Sequence, residues 1–210
     1  MSLMTPEDLL AFEEDIAQEF AAGNIRAPIH LGGGNERELL EIFETIKPGD
    51  WVLVGWRSHY HALLKGVPPA ELKAAILAGH SVSLCFPAHK ILCSGIVGGI
   101  APIAVGLAWA IKQRHSDYLL THETHETHDD TIVHCFLGDM SAESGIVHEA
   151  MRYAGGRDLP VRWIVEDNGL SVCTDTKASW GRSVAPPEAV TRYRYTLSRP
   201  HSGIGKWVRF

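Results

Sequence analysis

Cysteine is scarce in this chain. Cys85, Cys93, Cys135 and Cys173 are its four cysteines in 210 residues, with no CxxC pair and no zinc spacing. Each lies in or beside an apolar segment, so buried free thiols in a reducing cytosol are expected. Positive charge is short too. Nineteen Lys and Arg against 25 Asp and Glu leave a net charge of −6, which argues against nucleic acid as the main partner. The longest apolar run, Ile96 to Ile111, is too short and too rich in glycine to span a bilayer comfortably. The amino end, PEDLLAFEEDIAQEF, is acidic and amphipathic and carries no secretory pattern. No useful repeat and no linker divide the chain. With 45% apolar and 21% charged residues, it is expected to be one cytoplasmic globular domain over 1–210, free of membrane.

Periodicity supplies the elements. Residues 6–22 place Leu9, Leu10, Phe12, Ile16 and Phe20 on one side of a predicted helix. A loop with His30 and three glycines (32–34) leads to a second helix, Glu36 to Ile46. Trp51 to Val54 reads as a buried strand, Pro69 to Ala78 as a helix closed by Gly79, and Val82 to Phe86 as another strand. Gly95 to Arg114 is a helix whose small residues, Gly98, Gly99, Ala101, Ala104, Gly106 and Ala108, admit a close neighbour; burial between subunits is expected. Ile132–Leu137, Ser144–Ala154 and Val161–Val165 form a strand–helix–strand unit, interrupted by Gly155-Gly156 and Pro160. One further strand follows Pro187. Strands alternating with helices imply an α/β fold, a parallel sheet with helices on both faces. Between them, His122, His125 and His128 recur at three-residue steps. The Thr and Asp around them favour a solvated loop over a metal site.

The most telling stretch runs from Gly138 to Asn168, GDMSAESGIVHEAMRYAGGRDLPVRWIVEDN. Asp139 ends one strand and Asn168, 29 positions on (168 − 139), ends the next, with a helix between them. Both then sit at the carboxyl edge of a parallel sheet, where open α/β folds bind ligands. Two hard oxygen donors there suit Mg²⁺ shared with a diphosphate. A helix cap at Asp139 and a turn at Asn168-Gly169 are the plainer alternative.

This segment resembles the thiamine-diphosphate motif, which opens Gly-Asp-Gly and closes Asn-Asn. Together with IRAPIHLGGGNE (25–36), GDWVLVGWRSHYHALLKG (49–66), SGIVGGIAPIAVGLAWAIK (94–112) and EDNGLSVCTDT (166–176), it resembles the alpha chain of the 2-oxo acid dehydrogenases, within the transketolase-like superfamily. The resemblance implies a thiamine-diphosphate-binding fold and an oxidoreductase component. Mg²⁺ would be held by Asp139, Asn168 and the Leu170 carbonyl. Trp56 and Arg57 would lie on the diphosphate with Gly138, Met140 and Ser141, and main-chain groups of Gly95 and Val97 on the aminopyrimidine. His59 and His30 match histidines near the diphosphate and the substrate entrance. Phe86, Pro87 and His89 occupy the loop before the small-residue helix, and His89 is expected to face the substrate. Tyr193-Arg194-Tyr195 and His201 echo a later segment with a catalytic histidine. Two departures stand out: Met140 replaces the second Gly, and Asp167 the first Asn. In the family the activating Glu comes from a second chain, so a beta-type subunit, an α2β2 assembly and a 2-oxo acid substrate are implied. Half of a split transketolase-like enzyme and a non-catalytic cofactor module remain open as alternatives.

Overall fold

The computed structural model describes residues 4–121, 130–181 and 186–209. The chain runs α1 (Pro6–Ala21), α2 (Glu36–Phe43), β1 (Trp51–Val54), α3 (His59–Leu64), α4 (Pro69–Leu77), β2 (Cys85–Phe86), β3 (Ile91–Cys93) and α5 (Ile100–Thr121). It continues β4 (Val133–Gly138), α6 (Asp139–Ala142), α7 (Gly145–Gly156), β5 (Val161–Asp167), β6 (Leu170–Ser171), β7 (Thr174–Asp175), α8 (Thr176–Trp180) and β8 (Val190–Arg194). α1 begins with a capping box. The Thr5 hydroxyl accepts from Asp8 N–H at 3.2 Å, and the Asp8 carboxylate accepts from Thr5 N–H at 2.9 Å.

Six strands form one sheet in the order β2-β3-β1-β4-β5-β8. All neighbours pair parallel except β2, which is an antiparallel edge. Side chains alternate between the faces of a strand, so each strand feeds two cores. Val52, Val54, Phe136 and Ile164 join α1–α4 on one face; Leu53, Val133, Cys135, Leu137 and Trp163 join α5 and α7 on the other. Burial on both faces is what a parallel sheet requires, and the expected α/β architecture is present. Along α5, Ala101, Ala104, Ala108 and Ile111 are buried against the sheet, while Ile103 and Trp109 are exposed.

Several elements differ from the sequence reading. α3 and β3 had no counterpart in it, and Val82–Phe86 shortens to Cys85–Phe86. α5 starts at Ile100 rather than Gly95, because Gly98 turns the chain at φ +72°. A Cβ there would lie 2.9 Å from Ile146 Cγ2, so both conformation and space demand glycine. Only Cys93 and Cys135 are buried thiols; Cys85 is exposed on the edge strand and Cys173 in the β6–β7 turn. His122, His125 and His128 lie outside the described residues. Among the described residues no helix is long and apolar enough to cross a membrane.

The close fit of α5 gives a first prediction. Ala104→Leu overfills a site with no accessible surface and should cost about 1–3 kcal/mol, read as a lower urea midpoint with an unchanged m-value.

Candidate functional site

At their carboxyl ends β1 and β4 send the chain to opposite faces, β1 into α3 and α4, β4 into α7. The gap between is a cleft of about 700 Å³, partly open to solvent. It sits at the topological switch point where open α/β sheets bind ligands. Trp56 and Arg57 line it from β1, Gly138 to Ser141 from β4, Asn168 and Leu170 from the end of β5, Val97 from the turn before α5, and His201 from the tail. Ten residues named from sequence thus meet in one place.

Asp139 is 2% exposed. Its Oδ2 accepts the Thr176 hydroxyl proton, and the Asn168 main-chain N–H also reaches the carboxylate. Burial pushes its pKa up, Thr176 pulls it down, and the charge of Asp167 raises it further. Among the described residues no cationic side chain is recorded against it. Asn168 makes the turn expected of it: Oδ1 accepts Leu170 N–H at 2.9 Å. One lone pair of that amide oxygen remains, so turn and ligand roles coexist.

Among the described residues no group of three or more His, Cys, Asp or Glu could hold a metal. The cleft offers instead the Asp139 carboxylate, the Asn168 amide oxygen and the Leu170 carbonyl, while its second carboxylate, Glu166, is engaged by Asn35 and Tyr193. A hard, incomplete oxygen set beside a buried carboxylate without a cation fits Mg²⁺ completed by phosphate oxygens and water.

Arg57 brings the positive charge. Its Nη2 donates to the His201 carbonyl at 2.9 Å and lies 3.1 Å from His201 Nδ1. Arginine only donates, so His201 Nδ1 accepts and its ring proton sits on Nε2. His30 Nδ1 donates to the same carbonyl at 2.8 Å. The His30 ring lies 5.5 Å from Trp56 and 4.9 Å from His201. Burial drives the His30 pKa down to about 4, so the ring is neutral at pH 7; burial, then Arg57, lower that of His201.

Three sequence expectations need correction. His59 is 1% exposed; Nδ1 lies 3.1 Å from Glu13 Oε2 and Nε2 2.9 Å from Ser81 Oγ. It lines a smaller cavity behind the cleft, not the cleft itself. With both ring nitrogens engaged it braces α1 against the β1–α3 loop and has no nitrogen left for a substrate. Gly95 is not a lining residue; its neighbour is Val82. His89 sits in the short turn Pro87–His89 between β2 and β3, outside the cleft lining. Met140 does line the cleft, with its sulfur accepting the Trp180 indole N–H; this anchors the side chain toward α8.

Sequence reasoning gave no role to Thr176, Glu13 and Glu166, and reached Tyr195 only as part of a segment that resembles the family. Of the first three only Glu13 left a signal, as a charge on the apolar stripe of α1 beside Leu9, Phe12 and Ile16. The rim is apolar. Ile96, Val97, Leu170 and Val172 are all exposed there, Ile96 at 73%, and Val172 adopts φ +56°, a strained conformation for a β-branched residue.

Fold and cleft define a mostly parallel α/β domain with an open cleft at the carboxyl edge of its sheet. A family model described as dehydrogenase E1 component matches residues 4–190, and the chain belongs to that family. It is 31% identical over 174 residues to the pyruvate dehydrogenase E1 component subunit alpha of Zymomonas mobilis, covering 78% of this chain and 46% of that one. The protein of that name from Rickettsia typhi is 30% identical over 181 residues, covering 81% and 52%. The chain spans about half the length of these curated relatives.

The His30 environment predicts a pH dependence. Its folded pKa lies below that of the unfolded chain, so the unfolded state binds the extra proton between about pH 6.5 and about pH 4. The His30 contribution is present above that window and is lost as pH falls through it. Urea midpoints at pH 7, 5.5 and 4 should decline less steeply in His30→Gln than in the parent chain.

Proposed function

We propose that this chain is an alpha-type subunit of a thiamine-diphosphate-dependent 2-oxo acid dehydrogenase or decarboxylase. The observation that carries this reading is Asp139, a buried carboxylate without a recorded cationic partner, sharing one cleft with Asn168 and Arg57. Asp139, Asn168 and the Leu170 carbonyl would hold Mg²⁺, and the ion would offset the charge that burial leaves exposed to a low dielectric. Arg57 would meet the diphosphate through the N–H groups not committed to His201. Trp56, Gly138, Met140 and Ser141 border the same space.

Thiamine diphosphate, when bound, supplies the electron sink for decarboxylating a 2-oxo acid. The chain's own residues position and shield. His201 lines the cleft with its ring proton on Nε2, a donor toward the substrate side. His30, neutral, holds the His201 carbonyl and with it the tail. Main-chain groups around Val97 flank the pyrimidine end. The apolar rim and the exposed Ile103 and Trp109 of α5 are the surfaces for a beta-type subunit and for α2β2 assembly. Support for the partner comes from the relatives, which are named as subunits of an E1 component. A cytoplasmic setting suits the free thiols.

The test is calorimetry with thiamine diphosphate and Mg²⁺, on the chain alone and with its beta-type partner. Asp139→Asn should weaken Mg²⁺-dependent binding by more than about 100-fold, while the cofactor-free chain gains stability because a buried charge is removed. Equal affinity in the variant refutes the reading. Turnover of ketose phosphates rather than 2-oxo acids by the pair would move the chain to the transketolase-like class.

A further inference from the structure

An amide can serve a cation only through its oxygen, yet oxygen and NH₂ are interchangeable by a half-turn of the group. Two neighbours hold the group at Asn168: a main-chain N–H, which only donates, selects the oxygen, and a tyrosine hydroxyl, which can donate or accept, tethers the NH₂ end. Leu170 N–H donates to Oδ1, and Nδ2 donates to the Tyr195 hydroxyl at 3.4 Å. Tyr195 is itself held. Its main-chain N–H donates to the Asp167 carbonyl at 2.9 Å, and its ring lies 5.9 Å from Tyr193.

Tyr193 faces Glu166 across the β5–β8 ladder and donates to Glu166 Oε1 at 2.5 Å. Asn35, 5% exposed at the start of α2, donates to that same oxygen at 3.2 Å and to the Tyr193 oxygen at 3.0 Å. Asn35, Glu166 and Tyr193 therefore form a closed triangle joining the α2 start to the tips of β5 and β8. A partly buried carboxylate braced by two donors is stiff, because releasing either leaves it unsatisfied.

We infer that Tyr195 is a positioning residue for the cation: with Leu170 N–H selecting the amide oxygen, the Tyr195 hydroxyl tethers the Asn168 NH₂ and so fixes the amide plane, and the Asn35–Glu166–Tyr193 triangle holds Tyr195 in place. The inference rests on the reading of Asp139 and Asn168 as Mg²⁺ ligands. Groups one step behind a ligand orient it and tune its affinity.

The experiment is a double-mutant cycle on the full chain, titrating Mg²⁺ by calorimetry with saturating thiamine diphosphate. Asn168→Asp replaces the tethered NH₂ with a second oxygen, so the hydrogen bond under test is absent. Tyr195→Phe should weaken Mg²⁺ about tenfold beside Asn168 and less than about twofold beside the Asp, with the urea midpoint of each chain reporting fold integrity. A second readout does not need the Asp variant. The Asn168 side-chain ¹⁵N resonance should be protected from exchange in the parent chain and lose that protection in Tyr195→Phe. Equal Mg²⁺ affinity in parent and Tyr195→Phe, the same loss in both backgrounds, or an unaltered Asn168 resonance overturns the inference alone. A parent chain that takes up neither Mg²⁺ nor cofactor, with or without partner, overturns the cofactor reading and this inference with it.

Discussion

Parallel pairing of β1 with β4, and of β4 with β5, brings the functional groups into one cleft. The ladder sets Leu53 beside Cys135 and Gly138 beside Glu166, so three strands end nearly level. Helices then leave β1 and β4 on opposite faces, and the space between their carboxyl ends has no element to fill it. Trp56-Arg57, Gly138-Asp139 and Asn168 arrive there as a consequence of register. A slip of one residue in β4 would turn Phe136 and Leu137 to the wrong cores and carry Asp139 out of the cleft.

The same place concentrates polar cost. Among the described residues the buried polar side-chain atoms without a hydrogen bond are Arg57 Nε, Ser58 Oγ, both ring nitrogens of His61, and His134 Nδ1. All but the last belong to residues 57–61, directly behind the cleft. His61 Nε2 lies 3.4 Å from Glu166 Oε1 but is too poorly aligned for a hydrogen bond. Structural sites elsewhere are better satisfied. At the opposite end of the sheet Asp50 accepts from Ile132 N–H and Lys47 N–H and lies 3.1 Å from His134 Nε2. Four of the five unmet atoms thus cluster at residues 57–61 beside the cleft, and one, His134 Nδ1, lies at the far end of the sheet.

Much of the architecture could be read from the chain because its periodicities are strong. β4 and β5 are rich in apolar residues, α1 and α7 carry clear stripes, and Gly155-Gly156 with Pro160 mark the crossover. The failures were local. α3, with His59 and His61 in six residues, has too little length to show a period, and strands β2 and β3 are two and three residues long. The histidines were the hardest to assign, since His59 and His30 look alike in sequence. Glu13 and Ser81 claim both nitrogens of one, and the tail claims one nitrogen of the other.

The amino-acid sequence by itself determined the fold class, the strand–helix–strand unit and the pairing of Asp139 with Asn168, since these follow from local periodicity and fixed spacing; Trp56 and Arg57 joined them through the family resemblance. Tertiary structure alone decided which groups stand behind them. Thr176 against Asp139, Tyr195 against Asn168, Glu13 against His59 and the His201 carbonyl between Arg57 and His30 join residues between 27 and 171 positions apart. Such partnerships depend on how helices and strand tips pack in space, and no periodicity along a chain encodes them.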